Sequence, residues 1–375
     1  MISGHATAAG TARFRSRFPA LAAASHFRRP EAVKHLDDLW LSSTGMGTYL
    51  GEPDAATDQR YTNAALSAAA NGVNVLDSAI NYRFQRSERS LGAALKQALE
   101  AGDLQRDEVL ICTKAGYLTY DGTVPADPRE YFVREYIESG IIPRDELVGG
   151  MHCIAPGYLA DQIERSQRNL GIETIDVFYL HNPEQQLGEV SRETFHARLR
   201  KAFAALEEEV AGRRIRVYGT ATWNGYRQAA SSREHLDLAA LAEIAREVGG
   251  DDHHFRVIQL PFNLGLPEAF TNLSQNIGSR PVSALEAARK LGIAVVGSAS
   301  LLQGKLAGRL PDFVRETLDC AADAEAAIQF ARSTPGITTA LIGMSRKEHV
   351  EANLRIASKP LAQRQAWESL FSKAQ

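Results

Sequence analysis

Cysteine is scarce in this chain. Cys112, Cys153 and Cys320 are odd in number and far apart in the sequence, which excludes a disulfide framework and a paired-cysteine metal site. A reducing cytosol suits them, and the chain reads as cytoplasmic. Cys112, inside the apolar run VLICTK, reads as a small buried hydrophobe. An excess of one charge is also missing: a net charge of -3 gives no electrostatic basis for binding nucleic acid, and an acidic substrate or a membrane surface would have to be recognised by local groups. No apolar stretch reaches the roughly 18 residues of a membrane helix. None of signal-peptide length comes after Arg13, Arg15 or Arg17, and the pair Arg28-Arg29 runs directly into Pro30 and Glu31, so no export signal is expected. HExxH, a Walker lysine loop and a GxSxG elbow are all absent, which removes the usual anchors of a zinc peptidase, a nucleotide hydrolase and a serine hydrolase.

What is present suits a large buried core: 44% of the 375 residues are hydrophobic and 23% charged, the balance of a soluble globular protein. The length allows two average domains or one α/β barrel with insertions. Short apolar, β-branched runs alternate with longer helix-period segments, the pattern of βα units around a parallel sheet. Eight strands are predicted, at 39–41, 73–77, 109–113, 175–180, 215–219, 256–260, 293–297 and 338–343. Many of the intervening helices end in glycine (Gly72, Gly171, Gly250, Gly292, Gly336), which reads as a left-handed cap before the next strand. Eight such units can close into a (β/α)8 TIM barrel; an open doubly wound sheet has the same alternation. Residues 1–36 precede the first predicted strand as an Ala- and Arg-rich N-terminal extension, expected to lie over the barrel or to be partly disordered, with 37–375 as the barrel. The stretch 116–156 is long for a βα connection. Its aromatics Tyr117, Tyr120, Tyr131, Phe132 and Tyr136 either line a substrate pocket or form the core of a structural flap.

Barrel active sites lie at the C-terminal strand ends. Asp77 ends the second predicted strand, Lys114 the third and His181 the fourth, while Tyr82 follows Asp77 by five residues. These four converge on one mouth if the chain is a barrel. The segments that carry them, VNVLDSAINYRFQRSERSLGAAL, CTKAG and IDVFYLHNPE, resemble the aldo/keto reductase family, and the resemblance runs from about residue 39 to 356. QLPFNL, with Gln259 and Asn263, is similar to the family's sixth-strand motif, GIAVVGSASLLQGKLAG to its seventh-strand loop and TTALIGMSRKEHVEANL to its cofactor-phosphate segment. The resemblance implies a TIM barrel that interconverts carbonyl compounds (aldehydes, ketones or sugars) and alcohols by hydride transfer with NADP(H). Asp77, Tyr82, Lys114 and His181 would be its catalytic tetrad, and Thr222, Gln259, Ser298, Gln303, Lys305, Ser345, Arg346, His349 and Asn353 its cofactor-binding residues.

The chemistry agrees. Carbonyl reduction needs a proton donor at the developing alkoxide. A phenol with pKa near 10 is a reluctant one, and an ammonium about 4 Å away contributes on the order of 4 kcal/mol at an effective dielectric near 20. Lys114 is therefore expected to bring Tyr82 toward neutrality, Asp77 to fix Lys114, and His181 to orient the substrate oxygen or relay its proton. The glycines of GMGTYLG at 45–51 have the wrong spacing for a Rossmann loop, so the cofactor phosphates are expected near the last two βα loops. There Arg346 and Lys347 suit a ribose 2'-phosphate and favour NADP over NAD. Two departures stand out. Ala221-Thr222 replaces the family's usual Ser-Asn, and Ser298 stands in the place of a nicotinamide-stacking aromatic, for which Trp223 or Phe262 are the substitutes. Tyr49 and Trp223 are expected to shape the substrate pocket.

Two other classes remain in view. One is a cofactor-binding regulatory barrel with little turnover, against which a full tetrad argues. The other is a metal-dependent barrel hydrolase, for which only His181 is well placed. The run Asp251-Asp252-His253-His254 reads as a solvated loop, because adjacent side chains point different ways.

Overall fold

The computed structural model describes residues 1–372. Eight parallel strands close into a barrel in chain order: β1 (Thr44–Gly47), β2 (Val75–Asp77), β3 (Leu110–Ala115), β4 (Ile175–His181), β5 (Ile215–Ala221), β6 (Phe255–Pro261), β7 (Ala294–Ser298) and β8 (Ile337–Gly343). The principal outer helices are α1 (Ala55–Ala70), α2 (Arg86–Glu100), α3 (Pro156–Leu170), α4 (Arg192–Ala211), α5 (Leu238–Gly249), α6 (Ala284–Lys290), α7 (Asp323–Ser333) and α8 (Lys347–Leu354). Among the described residues no helix is long and apolar enough to cross a membrane.

Alternate residues along a strand face opposite sides of a sheet, and the packing divides accordingly. Val75, Leu110, Cys112, Val177, Tyr179, Val217, Val257, Val296 and Leu341 form one cluster inside the barrel. Their neighbours Leu76, Ile111, Phe178, Tyr218, Ile258, Val295 and Ile342 pack outward with the helices. Several helices begin on a side chain that accepts from their free N–H groups: Asp54 for α1, Ser191 for α4, Asp237 for α5 and Ser283 for α6, each contributing about 1 kcal/mol. Gly171, with φ of 70°, ends α3 in the left-handed conformation predicted for it.

The first strand departs from its predicted position. Leu39 and Leu41 lie in the inner cluster together with Ala6, Val33 and Leu36 of the N-terminal segment, and Leu41–Ser42 pairs antiparallel with Phe27–Arg28. The apolar signal at 39–41 thus belongs to a plug beneath the barrel, and β1 follows it as the sequence Thr-Gly-Met-Gly. Its two glycines weaken the strand signal, and at Gly45 there is no room for a side chain: a Cβ there would lie 2.7 Å from Leu341 and 2.9 Å from Thr339 on β8.

The N-terminal segment is held by specific bonds. Ile2 N–H donates to Gly171 O at 2.7 Å, Ala6 N–H donates to buried Asp176 at 2.7 Å, and a helix at Ala8–Ser16 carries Arg13, which pairs with Asp107 and Glu108. Beyond β8, a C-terminal helix (Arg364–Ser372) buries Trp367 against Phe330 and Phe270.

Candidate active site

The inward register decides which side chains meet at the barrel mouth. Counting in twos from the inner cluster, Val75 leads to Asp77, Cys112 to Lys114, Tyr179 to His181, Val257 to Gln259 and Val296 to Ser298, each the last or nearly last inward position of its strand. Lys114 Nζ, buried, donates to Asp77 Oδ1 at 2.5 Å and to Ser78 O at 2.7 Å. Gln259 Nε2 donates to the other carboxylate oxygen at 2.8 Å. The carboxylate that holds the ammonium is thus itself held by Gln259.

Tyr82 sits above this pair, with Lys114 Nζ 5.1 Å from its ring centre and the His181 ring edge-on at 5.8 Å. It reaches that position through an unusual turn: Arg83, Phe84 and Gln85 have φ of 50°, 57° and 72°, a left-handed run that costs on the order of 1–2 kcal/mol per residue. The turn is held by its side chains. Arg83 donates to Glu52 O at 2.9 Å and pairs with Asp58, and Gln85 donates to Tyr120 O at 3.0 Å.

The electrostatics correct one expectation. Burial raises the Tyr82 phenol above its ordinary pKa, and Lys114, although it pulls downward, does not reverse this; Asp77 pushes in the same direction as burial. The expected shift of Tyr82 toward neutrality therefore fails: desolvation outweighs the one cation. Burial opposes the charge on Lys114, but Asp77 and Tyr82 more than offset it and hold the ammonium above its usual pKa. Burial, then Lys114 and His152, hold His181 well below the ordinary histidine value, so its imidazole is neutral near pH 7.

A cavity of about 820 Å³ opens over these groups. Asp77, Tyr82 and His181 line it, as do Thr222, Gln259, Ser298, Gln303, Ser345, His349 and Asn353; Lys114 lies beneath, bonded to Asp77. Lys305 and Arg346 are exposed and do not line it, although each lies close in sequence to a lining residue. Arg346 has no carboxylate within ion-pair distance among the described residues, whereas Lys347 pairs with Glu351 at 3.6 Å. Of the two candidates to replace the missing aromatic, Phe262 is fully buried and stacked on Phe330 at 5.5 Å, while Trp223 lines the cavity and is 41% exposed. Tyr49 lines it too, edge-on to Tyr82 at 5.0 Å.

The loop at 116–156 resolves into both of its readings. Tyr117 lines the cavity. Tyr120, Tyr131, Phe132 and Tyr136 instead pack on one another, with Tyr120 and Phe132 stacked at 4.7 Å and Tyr136 reaching Tyr158. Asn263 N donates to Leu266 O and its side chain closes a turn on Ala299 O. The Asp251–His254 run precedes β6 at the opposite end of the barrel, where His254 pairs with Glu207 and Asp252 with Lys34.

Asn81, Ser300 and Glu184 were not singled out in the sequence, whereas Thr222 was. Asn81 Oδ1, Thr222 Oγ1 and Ser300 Oγ are buried without a protein partner, and all three residues line the cavity. Buried polar atoms are rarely left unpaired, so these mark where a ligand's polar groups can bond. Glu184, three residues after His181, is fully buried and accepts the N–H groups of Trp223, Asn224 and Gly225 at 2.9, 3.0 and 3.3 Å. It holds the turn that brings Thr222 and Trp223 to the cavity, and burial pushes its pKa up to about 7.

Comparison with known proteins agrees with this architecture. Residues 43–243 match the family described as the aldo/keto reductase family, a span that contains Asp77, Tyr82, Lys114, His181 and Thr222. A D-threo-aldose 1-dehydrogenase from a Pseudomonas species is 32% identical over 157 residues, 42% of this chain and 42% of the relative's own length. Among solved structures, the glycerol dehydrogenase of Gluconobacter oxydans superposes with a TM-score of 0.62 at 18% identity, covering 93% of this chain and 95% of that one. An aldo-keto reductase of Bacillus halodurans in its holo form superposes at 0.60 and 20%, covering 92% and 95%. One from Klebsiella pneumoniae, in complex with NADP and acetate, superposes at 0.59 and 16%, covering 90% and 92%. At these identities the structural likeness speaks to the fold.

Proposed function

We propose that this chain, which belongs to the aldo/keto reductase family, interconverts carbonyl compounds and alcohols with NADP(H), using Tyr82 as the group that gives and takes the proton. The observation that carries this reading is the stack of Lys114 and Asp77 beneath Tyr82, beside a neutral His181, at the floor of a cavity that continues to the last two strand loops. The cavity fits a nicotinamide dinucleotide. Thr222 Oγ1 and Ser300 Oγ are free to bond it, Ser345, His349 and Asn353 line the far part, and Arg346, without an ion-pair partner among the described residues, stands at the start of α8.

When bound, the nicotinamide supplies or accepts the hydride. The chain supplies the rest. Tyr82, kept protonated by burial, donates to the oxygen that gains charge during reduction. Lys114, permanently charged, stabilises the phenolate left behind, and Asp77 keeps the ammonium in place. Neutral His181 orients the substrate oxygen with an N–H. In oxidation the same proton travels back. Tyr49 and Trp223 at the mouth offer ring faces to the substrate.

Aldoses, aldehydes and ketones are the substrates to test, with either cofactor, by following the absorbance of the reduced nicotinamide. Turnover with at least one is expected; saturable cofactor binding with no turnover across the panel would favour a regulatory barrel instead.

A further inference from the structure

His152 closes the long loop after β3 and does not line the cavity, yet it is bonded to the proposed substrate-orienting residue. Its Nε2 lies 2.8 Å from the backbone oxygen of His181. A carbonyl only accepts, so Nε2 carries the hydrogen. Nδ1 lies 2.9 Å from Gln186 Nε2, which donates to it. The orientation of the Gln186 amide is fixed in turn because its Oε1 accepts from Arg198 Nη1, and a guanidinium has only donors. Arg198 is anchored by Asp145 O at 2.6 Å and Glu146 O at 3.4 Å, both in the same loop. The donor-only guanidinium on α4 and the acceptor-only carbonyl of His181 together fix the direction of every hydrogen bond between them.

The surroundings leave this chain of bonds little freedom. His152 and Gln186 are buried, and desolvation holds the His152 imidazole down at about 4, so it stays neutral with one tautomer. Tyr117 meets the edges of both histidine rings, at 5.0 Å from His152 and 5.2 Å from His181, and accepts from Asn182 Nδ2 at 2.9 Å. The loop is buckled at its base, where Cys153 N–H donates to Gly116 O and Leu118 N–H to Met151 O, both at 2.8 Å. Gly116 has to be glycine there: a Cβ would lie 2.4 Å from His181 O and 2.9 Å from His152 Nε2.

We propose that His152 is a positioning residue for His181, and that through it the 116–156 loop sets the orientation of the imidazole that meets the substrate. The inference rests on the reading of His181 given above, so its tests separate the two. Replacing His152 with Phe keeps a ring against Tyr117 but leaves His181 O without its donor; replacing it with Gln restores an N–H. His152→Phe is expected to lower kcat by about tenfold or more while cofactor Kd changes by less than about twofold, and His152→Gln to recover to within about threefold of wild type, since small displacements of a reacting group cost rate steeply. Equal kcat for wild type and His152→Phe, or equal damage in both variants, overturns the proposal. Ring-nitrogen NMR of histidine-labelled protein tests it without turnover and without the Phe variant. The His152 signal should remain neutral with its hydrogen on Nε2 between about pH 5 and 8, in Gln186→Leu as in the wild type, because the His181 carbonyl only accepts. A His152 that titrates in that range, or that carries its hydrogen on Nδ1, overturns the proposal whatever the enzyme assay shows. An inactive wild type with the expected NMR result counts against the function and not against this wiring.

Discussion

Tyr82 is asked to do two opposed things, and its surroundings favour one of them. As a donor it must hold its proton at working pH, which burial secures; as a base in the reverse direction it must release it, which only Lys114 assists. Reduction should accordingly be nearly independent of pH around neutrality and decline on the alkaline side, while oxidation should accelerate as the pH rises. Lys114→Met removes the one group that pulls the phenol down. It should slow kcat by roughly 100-fold and move the alkaline limb of the residual reduction to higher pH. An unmoved limb in the pH profile of kcat/KM would remove Lys114 from this role. At this scale the sequence was informative: Asp77, Lys114 and His181 could be named because each stands at the inward end of a recognisable strand. Thr222 and Gln259 came from motif likeness, and both line the cavity. Asn81, Ser300 and His152 could not be found in the same way, since their significance lies in an unpaired atom or a bond across the chain that no spacing encodes.

Among the elements, the proposed reading gives α8 the choice of cofactor. Its first residues offer free N–H groups and the positive end of the helix dipole, and Arg346 precedes it with no ion-pair partner among the described residues. A 2'-phosphate there gains a charge-assisted hydrogen bond of about 1.5–3 kcal/mol, so NADPH should bind at least about tenfold more tightly than NADH. Arg346→Ala should erase most of that preference and leave NADH affinity almost unchanged; fluorescence titration of both cofactors against both proteins measures it, and an equal loss for the two cofactors would show that Arg346 does not read the 2'-phosphate. The plug beneath the barrel makes a second prediction. His26 is buried, with its ring nitrogens 3.1 Å from Ser43 Oγ and 3.0 Å from Gly72 O, and burial followed by the charges of Arg332 and Arg28 takes its pKa down to about 3. The folded form is thus the harder one to protonate, so its contribution is intact above pH 6.5 and is lost as the pH falls toward 3. By pH 5 this amounts to about 2 kcal/mol. His26→Gln, which cannot be charged, should lose less stability in denaturant titrations between pH 7 and pH 5 than the wild type does; identical slopes would mean that His26 is already exposed to solvent. These two elements also show where pattern reading stops. The glycines of β1 conceal a strand, one of them, Gly45, because β8 leaves no space for a side chain there, and the leucines of the plug imitate one.

For the molecule as a whole, the fold and the mouth arise from one regularity, eight βα units whose inward residues end at the same rim. That regularity was legible in the sequence, because buried parallel strands must be apolar and their helices must stop before the next strand begins. The N-terminal plug and the inner packing of the 116–156 loop were each legible only as one of two alternatives, because both are stabilised by contacts with distant segments, Asp176 and Arg216 for the first and Arg198 for the second. Everything proposed for the mouth depends on Tyr82 as the proton-transferring group, and one variant addresses that directly. Tyr82→Phe deletes a single oxygen above the Lys114–Asp77 pair. With a substrate that the wild type turns over, it should lower kcat by about 100-fold or more while the cofactor Kd, titrated on the same preparation, stays within about twofold of wild type. A variant that retains more than about a tenth of wild-type kcat with undisturbed cofactor binding would contradict this role for Tyr82, since the reaction would then be taking its proton from another group.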